Sequence, residues 1–210
     1  DFFKYLTASQ EDIKWGLYLN VAGKAEIPKN REYPLREHGH PDSYLFKSGQ
    51  GRVLHEYQIN YITEGKGTLE NEFGRYDIVP GTIMITFPGV WHWYSPVMET
   101  GWTENYIGFQ GELTGRVLTT PWFSMDKPVI QCDIREELID TYYKIFDLVQ
   151  KERPGFQYVA SGMVMKLLGY IVSFQRQRDF KGKPVETIIK DVCFMLRQNV
   201  EQNIDFKDIA

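Results

Sequence analysis

The chain has little cysteine and no long apolar run. Two cysteines occur in 210 residues, Cys132 and Cys193, far apart and in segments of different character. That pattern excludes a disulfide framework and a cysteine-based zinc site, and fits two buried thiols in a reducing compartment. No stretch reaches the length of a membrane-spanning helix, and the N-terminus has no basic-then-apolar leader. The expectation is a cytoplasmic protein with no membrane partner. Positive charge is not in excess either: 24 Lys and Arg stand against 28 Asp and Glu, a net charge of -4. Nucleic acid is therefore not expected to be gripped by this chain's own surface. No Ser, Cys or Lys lies beside a recognisable base, and no phosphate-binding loop is present. The chain is expected not to be an enzyme and to need no cofactor.

What it does have is aromatic: 13 Tyr, 13 Phe and 5 Trp. These suit a β-rich domain with an aromatic-lined cavity, and an aromatic core would use the same residues. The stretch from Pro80 to Gly111 (PGTIMITFPGVWHWYSPVMETGWTENYIGFQG) is the centre of the reading. Ile83 to Phe87 is a β-prone run, broken by the Pro88-Gly89 turn, and His92, Trp93 and Tyr94 follow at once. A third run sets Trp102, Glu104 and Tyr106 on one face against Thr103, Asn105 and Ile107 on the other. A histidine after such a turn, among aromatics with polar tips, suits the mouth of a small β-barrel that holds a polar ligand.

Before that stretch, residues 1–14 read as a flexible arm or a short turn capped by Ser9 and Asp12. Trp15 to Gly23 alternates as a strand, residues 24–42 are a Pro-rich loop, and Val53 to Thr63 is the clearest strand. Glu64 to Gly67 then turns it back into a hairpin with Thr68 to Phe73. Short strands with Gly and Pro turns at close intervals mean a sandwich or barrel.

From Ile134 the period becomes helical. Leu138, Ile139, Tyr142, Ile145, Phe146 and Val149 share one face. Pro154-Gly155 ends that helix, and a second runs from about Gln157 to Gln177, giving an antiparallel hairpin. The second helix is apolar on more than one side, which leaves surface for a second copy of the chain. Arg176 to Pro184 is polar and Gly/Pro-punctuated, as a linker is. A further stripe from Val185 to Val200 and a cap at Asp205 and Asp208 begin helices whose partners the chain does not supply, so it is expected to end inside a second domain.

Arg52 to Gly67 (RVLHEYQINYITEGKG), Pro88-Gly89-Val90-Trp91-His92, and Gly101 to Gly111 together resemble the sensor domain of AraC-type transcription regulators. The tail from Ile188 to Ala210 is similar to the first helix, and the start of the second, of their DNA-binding domain. The resemblance implies a mainly β fold with α: a cupin-like, jelly-roll β-barrel, an antiparallel helical hairpin, then the start of an all-α helix-turn-helix domain. Its implied divisions are 1–133 for the barrel with an N-terminal arm, 134–177 for the dimerising hairpin, 178–184 for a linker and 185–210 for the truncated DNA-binding domain. It also implies a small-molecule effector, often a sugar, a homodimer, and DNA contact only through the missing C-terminal part.

By position on the family's motif, His92 and Tyr94 match residues that contact effector, and Tyr106 falls where relatives place a cavity tryptophan. Trp102 and Glu104 share its strand face, Arg52 lies close to a ligand-binding arginine, and Tyr44 is included on placement. A carboxylate flanked by aromatics, such as Glu104, faces water, an Arg or ligand hydroxyls. His92 is read either as a ligand contact or as a histidine fixing the turn. Tyr57 and Tyr61 are read as core or ligand residues on one strand face. Metal is not expected: a metal-binding cupin usually shows a His-x-His and a Glu on one strand, whereas here that strand offers only His55-Glu56, and His38 and His40 sit in a loop. The rival readings are a metal-dependent cupin enzyme, such as a sugar isomerase or dioxygenase, and a ligand-free oligomerisation module with a filled barrel.

Overall fold

The computed structural model describes residues 2–34, 50–180, 188–189 and 192–193. In chain order the elements are β1 (Phe2–Tyr5), α1 (Gln10–Trp15), β2 (Tyr18–Ile27), β3 (Arg52–Val53), β4 (Tyr57–Gly65), β5 (Gly67–Asn71) and β6 (Gly74–Ile78). They continue with β7 (Thr82–Thr86), β8 (Trp91–Pro96), β9 (Trp102–Gln110), α2 (Glu112–Leu118), β10 (Val129–Gln131), α3 (Glu136–Lys151) and α4 (Phe156–Phe180). Residues 1–171 form one compact unit and residues 172–210 a second. Among the described residues no helix is long and apolar enough to cross a membrane.

The strands make two antiparallel sheets. One has the order β1-β2-β9-β4-β7-β10 and the other β3-β8-β5-β6. Ile27, Ile62, Met84 and Trp102 from the first meet Leu69, Ile78 and Tyr94 from the second in one buried cluster. This is the cupin-like jelly roll, mainly β with helices, built as two facing sheets and not as one closed ladder among the described residues. The expected hairpin of β4 with β5 does not form, because β5 pairs with β6 and β8 in the other sheet. The chain changes sheet at Gly65, whose φ of 78 and close approach to the Gly101 backbone leave no room for a side chain.

Near the N-terminus the expected strand from Trp15 is a helix up to that residue. Ser9 accepts from the Asp12 amide at 3.1 Å while the Asp12 carboxylate accepts from the Ser9 amide at 2.8 Å, a complete capping box that overrides the alternation. The first residues are a strand, β1, paired along β2. α2 and β10 form between β9 and α3. The second hairpin helix runs to Phe180, past the expected Gln177, since Arg178 and Asp179 do not break a helix and the first glycine comes at Gly182. The rest of the expected linker and nearly all of the expected DNA-binding start lie outside the described residues, as do Tyr44, His38 and His40.

The helical stripe works as read. Leu138, Tyr142, Ile145, Phe146 and Val149 of α3 are buried, and Tyr142 donates from its hydroxyl to the Ile59 carbonyl at 2.9 Å. Tyr61 stacks on Tyr142 with centroids 6.1 Å apart. Its hydroxyl donates to the Asp133 carbonyl at 2.8 Å and accepts from the Arg135 amide at 2.9 Å, so it caps the approach to α3. α4 is tied to β2 by Gln157, whose amide both donates to and accepts from the Leu19 backbone, at 3.0 and 2.9 Å. Tyr61→Phe keeps the stack and orphans two backbone groups. It is expected to cost about 1–3 kcal/mol, read as a lower urea midpoint at an unchanged slope. An unchanged midpoint would mean that water takes over both bonds.

Candidate functional site

β9 turns Trp102, Glu104 and Tyr106 toward the facing sheet, and β4 does the same with Gln58, Asn60 and Ile62. β8 answers with His92 and Tyr94, and β3, paired residue for residue with β8, sets Arg52 beside His92. Gly23 lies opposite Tyr106 on β2, and a β-carbon there would fall 2.5 Å from the Tyr106 hydroxyl; the glycine makes the room that Tyr106 needs.

These side chains form one connected group. Arg52 donates through Nη2 to the Tyr94 hydroxyl at 2.9 Å and through Nε to His92 Nε2 at 3.3 Å. Its guanidinium also stands 5.4 Å from the Tyr94 ring centroid. Asn60 Nδ2 donates to Glu104 Oε1 at 2.6 Å and to the Tyr94 hydroxyl at 3.3 Å. Tyr94 in turn hydrogen-bonds Glu104. Tyr94 thus accepts from a cation and an amide and donates to a carboxylate, which uses the full capacity of a phenol. Because His92 Nε2 accepts from Arg52, Nδ1 carries the proton and faces the Val90 carbonyl at 3.2 Å.

Burial sets the charges. It pushes the Glu104 carboxyl up, against the opposing pull of Asn60, Arg52 and Tyr94. It pulls His92 down to about 3, helped by the positive charge of Arg52, so the imidazole is neutral at physiological pH. Tyr5, from β1, is pushed up to about 12 by burial, with Arg52 opposing and Glu56 adding. Tyr94, Tyr106 and Tyr33 are raised by burial as well, so every phenol here is a neutral hydroxyl. Aromatic faces complete the group: Tyr33 lies 6.4 Å from Tyr94 and 6.3 Å from Trp102, centroid to centroid.

Of the nine residues expected at the site, Arg52, His92, Tyr94 and Glu104 are joined directly, and Trp102 and Tyr106 share the inward face of Glu104's strand. Tyr57 and Tyr61 are not brought there. Tyr57 packs on Phe87 and Phe109, and Tyr61 on Tyr142, on the opposite face of β4. Tyr44 lies outside the described residues. Asn60, Tyr33 and Tyr5 were missed. The signal for Asn60 was present: alternation along β4 that puts Tyr57 and Tyr61 on one face puts Gln58 and Asn60 on the other. Among the described residues no three His, Cys, Asp or Glu side chains converge as a metal ion would require.

Comparison with known proteins gives the following. No curated protein matches the chain. Solved structures similar to it include the protein YhaK from Escherichia coli, at TM-score 0.37 and 11% identity over 52% of this chain and 44% of that one. Another is the cupin domain of Cnp3 from Schizosaccharomyces pombe, at TM-score 0.34 and 14% identity over 54% and 66%. ToxT from Vibrio cholerae matches at TM-score 0.37 and 9% identity over 92% and 69%. The chain spans less than two thirds of the length of the first two. The family model of the AraC-like ligand binding domain matches residues 36–168, well over half of the chain, and takes in Arg52, His92, Tyr94 and Glu104: the chain belongs to the AraC-like ligand-binding domain family.

Proposed function

We propose that the chain is the effector-sensing and dimerising region of a cytoplasmic AraC-type transcription regulator, without catalytic activity, and that its effector is a carbohydrate. The observation that carries this reading is the buried relay from Arg52 through Tyr94 to Glu104 and Asn60, closed by aromatic faces. A neutral polyol suits such a site: its C–H faces lie on Tyr94, Trp102 or Tyr33, and its hydroxyls both donate to a carboxylate and accept from a guanidinium. DNA contact is assigned to a helix-turn-helix domain starting within residues 185–210.

The effector acts by population shift. Asn60 faces the site while its neighbour Tyr61 holds the first turn of α3, so a ligand that repositions β4 moves the helical hairpin. Tyr143 and Val159, 49% and 51% exposed on α3 and α4, give the hairpin apolar surface for a second copy.

Thermal denaturation against a panel of aldopentoses and aldohexoses, with and without EDTA, is the test. A sugar at a hundred times its dissociation constant adds about 2.7 kcal/mol, a rise of roughly 5–10 °C for a chain of this size, with EDTA making no difference. Absence of any rise would remove the carbohydrate reading, and a fall with EDTA would revive a metal enzyme. Sedimentation of the same sample reads the dimer; a monomer at all concentrations removes that part.

A further inference from the structure

Among the buried polar atoms without a partner among the described residues, three sit together on β4 and β7: Asn60 Oδ1, Gln58 Oε1 and Thr86 Oγ1, on residues 0%, 1% and 3% exposed; Trp102 Nε1 on β9, a donor, is another. The two amides are not free to turn over. Asn60 Nδ2 is held by Glu104 Oε1 and the Tyr94 hydroxyl, and Gln58 Nε2 donates to Glu56 Oε1 at 2.8 Å. Flipping either would set a carbonyl against a carboxylate, so each leaves a bare acceptor. Their placement is joint. Gln58 and Asn60 are two apart on β4 and share a face, and Thr86 of β7 is the direct cross-strand partner of Gln58. Thr86 also borders a cavity of about 10 Å³ with His92, Asn71 and Leu69, room for about one water or hydroxyl group.

A folded chain seldom leaves three neighbouring buried polar atoms unpaired unless something outside the chain completes them. We infer that Gln58, Asn60 and Thr86 are the specificity-determining wall of the site, two amide acceptors that the effector must meet with donors and a hydroxyl beside them that can accept or donate. The inference rests on the effector-sensing reading and narrows it. Arg52 serves the ligand's acceptors on one side, and β4 with β7 demands at least two hydroxyl or N–H donors on the other. A ligand presenting an ether, a carboxylate or a bare carbon to this wall leaves its acceptors unpaired and is rejected.

The test is thermal denaturation of the chain and of Thr86→Val and Gln58→Met, each free and with aldoses, their monodeoxy counterparts and their mono-O-methyl ethers. Thr86→Val keeps the shape and deletes an unpaired hydroxyl, so the free variant is expected to melt higher, by on the order of 2–4 °C. Gln58→Met also takes a donor from Glu56 and is read only with sugar present. Both variants are expected to bind the wild type's sugar about tenfold or more weakly and to lose discrimination against one deoxy counterpart. Thr86→Ser, which keeps the hydroxyl, is expected to retain that discrimination. A free Thr86→Val that melts lower or unchanged overturns the inference, because its hydroxyl then has a partner within the chain. So does a sugar that stabilises wild type and both variants equally. If no sugar moves the wild type, the carbohydrate reading fails by itself, and the wall is decided by the free Thr86→Val melting temperature: a rise keeps it, and a fall or no change removes it.

Discussion

Acidifying the chain from pH 6.5 toward 3 is expected to remove at most about 5 kcal/mol of stability through His92 alone. The imidazole is 2% exposed, and burial, then the Arg52 charge, hold its pKa down to about 3, against a weaker upward pull from the Val90 carbonyl. In the unfolded chain the same group takes up a proton near 6.5. Between those two values the unfolded state binds more protons than the folded one, so stability rises with pH. The His92 contribution is complete above about 6.5 and is lost as pH falls through the window. Protonation in place would set a second cation against the Arg52 Nε that now donates to His92 Nε2.

Glu104 works in the opposite sense. Its folded pKa is raised, so its ionisation lowers stability as pH climbs. The two are separated by difference. His92→Gln retains an acceptor for Arg52 but has no proton to gain. Urea midpoints measured in parallel should show wild type losing far more stability than the variant below pH 6.5. Folded domains have on the order of 5–15 kcal/mol in all, so the contrast is large. Parallel profiles would mean that His92 is reached by water in the folded chain.

The same residues show how far the sequence could be read. Alternation along β9 placed Trp102, Glu104 and Tyr106 together, and the Pro88-Gly89 turn announced the entry to His92 and Tyr94. On β4 alternation was just as clear, but which face looked inward was not. The six-stranded sheet is covered on both sides, by the other sheet and by α3, so its strands lack the polar outer face that would mark orientation. The rings of Tyr57 and Tyr61 suit a ligand site as well as a core, while the polar residues between them, Gln58 and Asn60, face the site.

Tyr33 was hidden for another reason. It sits in a Pro-rich span with no period, and its position against Tyr94 and Trp102 is tertiary. Trp15 failed because a local capping box outweighed four alternating apolar residues, a contest that propensity alone does not decide. The β4–β5 hairpin failed because a glycine turn between two strands does not say whether they stay in one sheet.

Arg52→Met is expected to destabilise the chain by about 3–5 kcal/mol near neutral pH and to abolish effector binding. The half-buried guanidinium is the cation that draws down the Glu104 pKa and that donates to Tyr94 and His92. Methionine fills much of the same volume and supplies none of this. Glu104, already raised by burial, is then raised further, because one of the influences holding it down is gone. The penalty should therefore depend on pH. A group whose folded pKa lies above its unfolded value lends stability that is full below the unfolded pKa and is lost as pH rises through the folded one. Arg52→Met should accordingly come closer to wild type at pH 5 than at pH 8.

The double variant Arg52→Met, Glu104→Gln removes the buried charge as well as its partner. The amide oxygen that Glu104→Gln introduces can still accept from Asn60 Nδ2 and from the Tyr94 hydroxyl, so the neutral group remains hydrogen-bonded. Recovery of most of the lost stability in the double variant, without recovery of effector binding, is the expected result of the urea and thermal-shift cycle. It would show that the Arg52 and Glu104 charges are held for the ligand and not for the fold. A double variant as unstable as Arg52→Met alone would place the loss in packing and in the bond to His92, and Glu104 would then be a structural carboxylate.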